Sequence, residues 1–532
     1  MLVRAPPIMD WLRFALILSL GLLQVSQSAK ILGFFSMTAP SHHIAIQPVL
    51  RELAAKGHQI DFYSTIPLKS PHKNIREVKL PSRMMKAQQS FRFKDFASVP
   101  HFMTSYIMYK MGMNNMEGIA ETPEFVELIQ SDRKYDLVIG EFYFVNEDGA
   151  ALVHKFKVPG VVIHPLGDCA WVNELAGLPD NPSYMIDFKS LYTDRTMNLF
   201  QRLYNTYTTL ATNLVSYYFT TFPLQSLMDR AYNYSGWETR PRLPLLVSDM
   251  ALVLTNSHHS VGYSFPKAPH VKEVGGININ PNKPLPKDLQ TLMDSAKDGV
   301  IYFSLGSVVD MAEIMEDGAF DAFVNVFKGL KQKVLWKWKN GTDIPKIDAP
   351  NVVVSTWFPQ QDILAHKNTK LFITHGGLLS MSEAVNYGVP LVGIAIFGDQ
   401  PKNIVRMTTA GYGVGLKFDN LTEPAISWSI NEVLTNPSYK KEILRRQALF
   451  KDRPMKPLDE AVYWIEYVLR HGNVLQPASA KLPFYQLYLL DVFAVIALAA
   501  FVGFYVLKRI IKFALSLCRK KATVSQSKKK KQ

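Results

Sequence analysis

LFITHGGLLSMSEAVNYGVPLVGIAIFGDQ, residues 371–400, runs from an apolar strand into His-Gly-Gly, through a helical stretch, into a second apolar run, and ends on Asp-Gln. Two buried strands joined through a helix build a parallel sheet, because the crossover returns the chain to the same end of the sheet. Ligands of such sheets bind beyond the carboxyl ends of the strands. His375, Gly376 and Gly377 occupy one such end, and Asp399 and Gln400 close the next. Backbone N–H groups at a helix start, unobstructed at glycines, attract an anion. Ser380 and the His375 ring can donate to the same anion. Glu383, one turn further along, is unsuited to a phosphate but can accept two hydrogen bonds from a ribose diol. Trp357 offers a flat indole for stacking a base. A tight turn alone would explain any one of these features; their order at successive strand ends is the stronger signal.

Strand-like runs at Val300–Ser304, Lys333–Lys337, Val352–Ser355, 371–374 and 390–396 form one alternating series. An earlier series has strands at Lys30–Phe35, 60–63, 135–140 and Gly160–His164, and an amphipathic helix over 44–56 that stops at Gly57. A breaker-rich segment separates the two series. The 532 residues therefore divide into a domain at 30–275, a linker at 276–286 and a domain at 287–475, each an α/β unit with a parallel sheet. Two stretches rich in Met or aromatic residues, 82–116 and 188–227, fit either core or an adaptable surface for irregular apolar ligands.

The two ends read differently. Arg4 and Arg13 precede an apolar run at 14–23, and small residues follow to Ala29, the order of a secretory signal peptide over 1–29. Residues 488–507 hold one acid, Asp491, and are long enough to cross a bilayer as a helix. The tail at 508–532 carries ten basic residues and no acid, which marks a cytosolic flank. It ends Lys529-Lys530-Lys531-Gln532, the pattern of a dilysine retrieval signal for the endoplasmic reticulum, although a basic tail attracted to anionic lipid looks the same. Most of the formal charge of +14 sits in this tail, leaving about +3 on the lumenal body, so nucleic-acid binding is not indicated. Cys169 and Cys518 fall on opposite sides of the span and cannot pair. Asn233, Asn340 and Asn420 open sequons for glycans.

In order and spacing, Trp357-Phe358-Pro359-Gln360, His375-Gly376-Gly377, Ser380, Glu383, Pro390 and Asp399-Gln400 match the signature of the UDP-glycosyltransferases. The chain resembles that family over nearly its whole length. It is closest to the membrane-anchored animal branch, and LTNSHHSVGY (254–263) is similar to arthropod members. The resemblance implies two Rossmann-like domains facing across a cleft, the GT-B architecture, plus a C-terminal transmembrane helix. It places a UDP-sugar on the second domain and a small lipophilic acceptor on the first. Trp357 would stack on uracil, with Gln360 in the same donor site. His375, Gly377 and Ser380 would hold the diphosphate, Glu383 the ribose, and Asp399 and Gln400 the sugar. Ala395 departs from the family, which usually has proline there.

The first domain should supply a base, since a neutral hydroxyl is a poor nucleophile and histidine titrates near working pH. SHHIAIQPVL (41–50) follows the first strand and offers His42 and His43. Resemblance favours His42, 16 residues before His58, while His43 fits a packing role. The family's carboxylate partner is an Asp; here that position is Glu141, and Asp148 is the alternative. The expected reaction is inverting transfer of a hexosyl group, with UDP-glucose the favoured co-substrate and glucuronic acid open. No resident cofactor or metal is expected, as no Asp-x-Asp motif adjoins an apolar strand. A silent UDP-sugar binder is the competing class, hinted at only by Glu141. A dinucleotide oxidoreductase would want Gly-x-Gly-x-x-Gly after a strand, which no strand end supplies. The oligomeric state, including a homo-oligomer, is left open.

Overall fold

The computed structural model describes residues 28–83, 101–187, 197–306, 309, 318–338, 344 and 346–529. Residues 1–27 of the expected signal peptide, Asn340, and the last two lysines lie outside them, as do parts of the two Met- and aromatic-rich stretches. The first sheet contains β1 (Lys30–Phe35), β2 (Gln59–Ser64), β3 (Ile75–Lys79), β4 (Leu137–Gly140), β5 (Gly160–His164), β6 (Leu252–Thr255) and β7 (Val271–Glu273). The second contains β8 (Val300–Ser304), β9 (Lys333–Lys337), β10 (Val352–Ser355), β11 (Thr369–Thr374), β12 (Leu391–Gly393) and β13 (Gly413–Gly415). Their orders are β3-β2-β1-β4-β5-β6-β7 and β10-β9-β8-β11-β12-β13, and every pairing is parallel. Helices cover both faces, so central strands such as VIYFS and LVIG are buried along their whole length.

The strand expected at 390–396 stops at Gly393, because Ile396 N–H and Phe397 N–H turn away to donate to the Gln400 carbonyl at 2.9 and 3.0 Å. Strands β3 and β13 carry no strand pattern in the sequence. The first is an edge strand with exposed Arg76 and Glu77, and the second is only Gly-Val-Gly, so neither shows an apolar run.

Six helices position the cleft and the membrane-facing side: α1 (Pro40–Ala55), α2 (Leu199–Ser216), α3 (Leu378–Tyr387), α4 (Gln400–Thr409), α5 (Pro457–His471) and α6 (Leu490–Lys529). Helix α1 starts four residues before the expected point, with Pro40 in its first turn, where a missing N–H is harmless. That start brings His42 into the helical N-terminus. Helix α5 comes after the second sheet in sequence, yet its Ala461, Val462, Ile465 and Val468 pack into the first sheet's core beside Ile31, Ile46 and Leu50. Glu466 of α5 also lies 3.6 Å from His58 and 3.3 Å from Lys56. Within α6, Leu490–Leu517 has a mean hydropathy of 2.4 and none of it is buried in protein, so it is long and apolar enough to cross a membrane.

Candidate active site

Both sheets change winding direction between two central strands, β1/β4 in the first and β8/β11 in the second. Crevices open at such points beyond the carboxyl ends. Here the two crevices face one cleft of about 980 Å³, bordered by His42, Phe144 and Trp171 from the first half and Trp357, His375 and Asp399 from the second.

On the first side, His42 enters from the start of α1 and Glu141 from the residue after β4. His42 Nδ1 lies 2.7 Å from Glu141 Oε1, with the histidine side chain 12% exposed and the carboxylate 1%. With Nδ1–H donated to that oxygen, Nε2 is left as the acceptor. The Tyr143 hydroxyl donates to the same oxygen at 3.2 Å, and Glu141 Oε2 is buried without a hydrogen-bond partner among the described residues. Tyr143 in turn lies against His164, ring centroids 4.2 Å apart. Burial carries the Tyr143 hydroxyl well above its ordinary range, so it stays a donor. The turn that holds these groups is strained: Phe144 and Val145 take φ of 51° and 66°, unusual for side chains of that bulk. Asn146 ties it down by donating to the Tyr143 and Phe144 carbonyls at 3.2 and 2.9 Å.

The two alternatives are placed elsewhere. His43 is buried between Phe35 and Phe62, with Nε2 3.1 Å from the Met37 carbonyl, and burial lowers its basicity. Asp148 is buried beside Tyr232, whose hydroxyl donates to it at 3.1 Å; burial pushes its carboxyl up to about 7.

On the second side, α3 begins at Gly377 with no side-chain cap, so its first N–H groups point beyond β11. Gly376 has φ +81°, and a Cβ there would sit 2.6 Å from Ile404. The His375 ring lies between Gly306 and Gly377: a Cβ on either would come within 2.8 or 2.6 Å of it. Burial, with Lys337 nearby, takes His375 down to about 4, so the ring is neutral at physiological pH. Gln360 joins Ser380 to Glu383, donating to the hydroxyl at 3.2 Å and to Glu383 Oε2 at 2.7 Å. Asn278 and Gln361 both donate to Glu383 Oε1 at 2.8 Å. Burial raises the Glu383 carboxyl, and these three amides oppose that shift. Asp399 accepts from Asn403 at 2.5 Å, while the buried Gln400 uses its carbonyl to shape the preceding loop. Trp357 is 65% exposed at the rim.

A family model described as UDP-glucoronosyl and UDP-glucosyl transferase matches residues 29–529. The chain belongs to the UDP-glycosyltransferase family. It is 34% identical over 487 residues to UDP-glucosyltransferase 2 of Dactylopius coccus, covering 90% of this chain and 92% of that one. It is 30% identical over 477 residues to UDP-glucuronosyltransferase 2B17 of Mus musculus, covering 85% and 87%. Among solved structures, the GT-B fold recurs in CalG4, the calicheamicin glycosyltransferase, with a TM-score of 0.54 and 18% identity over 84% of this chain and 99% of that one. A UDP-glucosyltransferase from Polygonum tinctorium also has a TM-score of 0.54, at 16% identity over 83% and 99%. The protein is thus a glycosyltransferase that uses a UDP-sugar.

Several groups in this glycosyltransferase's cleft escaped the sequence. Lys337 donates to the Gly306 carbonyl at 3.1 Å. A lysine closing a strand usually extends into water, so the pattern KVLWK gave no cue. Lys402 is buried and donates across the cleft to the carbonyls of Ile186 and Asp187 at 2.6 and 3.2 Å; burial lowers it to about 8. Its reach to the other half depends on the tertiary fold alone. Asn278 lies in the segment that looked like plain linker.

Proposed function

We propose that this UDP-glycosyltransferase transfers glucose, with inversion, from UDP-glucose to the hydroxyl of a small lipophilic acceptor, with His42 as base and Glu141 as its partner. The observation that carries this reading is the 2.7 Å contact between His42 Nδ1 and Glu141 Oε1 at the cleft wall opposite the start of α3. His42 Nε2 accepts the acceptor's proton as its oxygen bonds to the anomeric carbon. The bond from that carbon to the UDP oxygen breaks on the opposite face, and its electron pair leaves with the diphosphate. Glu141 orients the ring and stabilises the imidazolium. The uncapped N–H groups of α3, Ser380 and the His375 ring meet the charge that develops on the diphosphate, a role that calls for no metal. Trp357 stacks on uracil. Glu383 accepts from the ribose diol once Gln360 yields Oε2, and Asp399 with the Gln400 amide nitrogen holds the sugar.

Glucose is favoured over glucuronate because Asp399, beside the sugar site, would repel a second carboxylate, and because the relative from Dactylopius coccus is named a glucosyltransferase. The Met108, Tyr109, Met111 and Trp171 side chains make the first half's share of the cleft apolar, which suits phenols and other flat alcohols. The body is read as lumenal in the endoplasmic reticulum, held by α6. The test incubates membranes carrying the protein with UDP-glucose or UDP-glucuronate and a panel of phenols, with and without EDTA. UDP release with UDP-glucose, unaffected by EDTA and abolished in His42→Ala, is expected; turnover that survives His42→Ala overturns the mechanism.

A further inference from the structure

Helix α2 is turned inside out. Phe200, Leu203, Tyr207, Leu210, Leu214 and Tyr218 recur at spacings of three and four, the period of a helix face, and are 58–80% exposed. Its buried face is polar instead. Asn205 donates to the Pro182 and Met185 carbonyls at 2.7 and 2.8 Å and accepts from Asp187 N–H at 2.9 Å, and Thr209 lies one turn on. A water-facing helix would carry the opposite pattern, and an apolar stripe this long on a surface marks a contact.

We infer that this outer face of α2 lies in the headgroup layer of the bilayer, as a second membrane contact beside α6; the inference rests on reading α6 as the anchor. Three observations select lipid as the occupant. The stripe mixes tyrosine and phenylalanine with leucine, the composition that favours the boundary between acyl chains and water. Residues 199–222 contain Arg202 and no acid, so nothing on the segment opposes an anionic headgroup, while Gln201, Asn205 and Asn213 make it too polar to cross. The face is also continuous with the root of the anchor. Asn213 of α2 donates to Asp180 at 3.2 Å, and Asp180 N–H donates to the Tyr488 hydroxyl at 3.0 Å, two residues before α6 begins. Gly177 sits so close to Ala480 that a Cβ would fall 2.3 Å from its Cα.

The test uses the full-length chain in a Cys518→Ser background; Cys169 is buried and stays unlabelled. Leu210→Cys, Ile496→Cys and Lys331→Cys each receive a nitrobenzoxadiazole label, with unchanged circular-dichroism melts as the check on folding. Each is reconstituted in phosphatidylcholine–phosphatidylserine vesicles with and without a nitroxide-bearing lipid. Labels at 210 and 496 should each lose about half or more of their emission, while the label at 331 keeps its own. Quenching at 496 without quenching at 210 overturns the second contact and leaves the anchor standing. Quenching at neither position removes the anchor reading and this inference with it. An unquenched Leu210→Cys that instead crosslinks two copies of the chain makes the face a dimer contact and overturns the inference.

Discussion

His42 and Glu141 meet because the residue after β4 and the first turn of α1 flank the same crevice, and each can be tested alone. His42→Ala should lower kcat by about 10²–10⁴-fold, the span of a lost general base, with little change in KM for the UDP-sugar. Glu141→Gln should keep the contact but not the charge, and lower kcat by at least ~10-fold. Asp148→Asn separates the two acids. Asp148 is held up to about 7, above its ordinary 3.8. Raised in the folded state, it contributes stability below 3.8 that is progressively lost as pH climbs to 7, so at pH 8 its ionised form burdens the fold. Asp148→Asn should therefore melt higher than the parent at pH 8, by the equivalent of about 2 kcal/mol, lose that advantage at pH 5, and keep its turnover. The choice between His42 and His43 was legible from resemblance. The reach of Glu141 was not: a residue one methylene longer than the family's aspartate can meet the ring only if the turn adjusts, and the φ values at Phe144 and Val145 belong to that turn.

The loop from β11 into α3 is the element on which donor binding depends. Gly376→Ala would place a side chain at φ +81° and within 2.6 Å of Ile404. Such strain costs about 1–3 kcal/mol, so KM for the UDP-sugar should rise ~10-fold or more in initial-rate assays, with kcat less affected. Helix α3 was legible to the residue, since a buried strand, two glycines and a cap at Gly388 bracket it. The end of β12 was not, because IAIF is as apolar as a strand and only the hydrogen bonds to Gln400 reveal the turn. The amides around Glu383 were hidden for a different reason. Asn278 and Gln361 are 83 positions apart, and no periodicity joins them.

Helix α5 sets how the two halves are tied. Its amphipathic stripe showed that it must pack, but a stripe does not name the sheet it packs on. Ile465 is fully buried against the first sheet, and Ile465→Ala should cost about 2–5 kcal/mol and lower the melting temperature. The return of α5 also means that the chain crosses between the halves twice, once through the segment around Asn278 and again just before Pro457. A panel fastened at one point can swivel any way; fastened at two, it swings like a door about the line between its hinges. The softest motion of this transferase is then a one-axis swing that widens or narrows the cleft without shearing His42 sideways past the start of α3. Product can leave by that swing, and the next donor meets the same alignment when the door shuts.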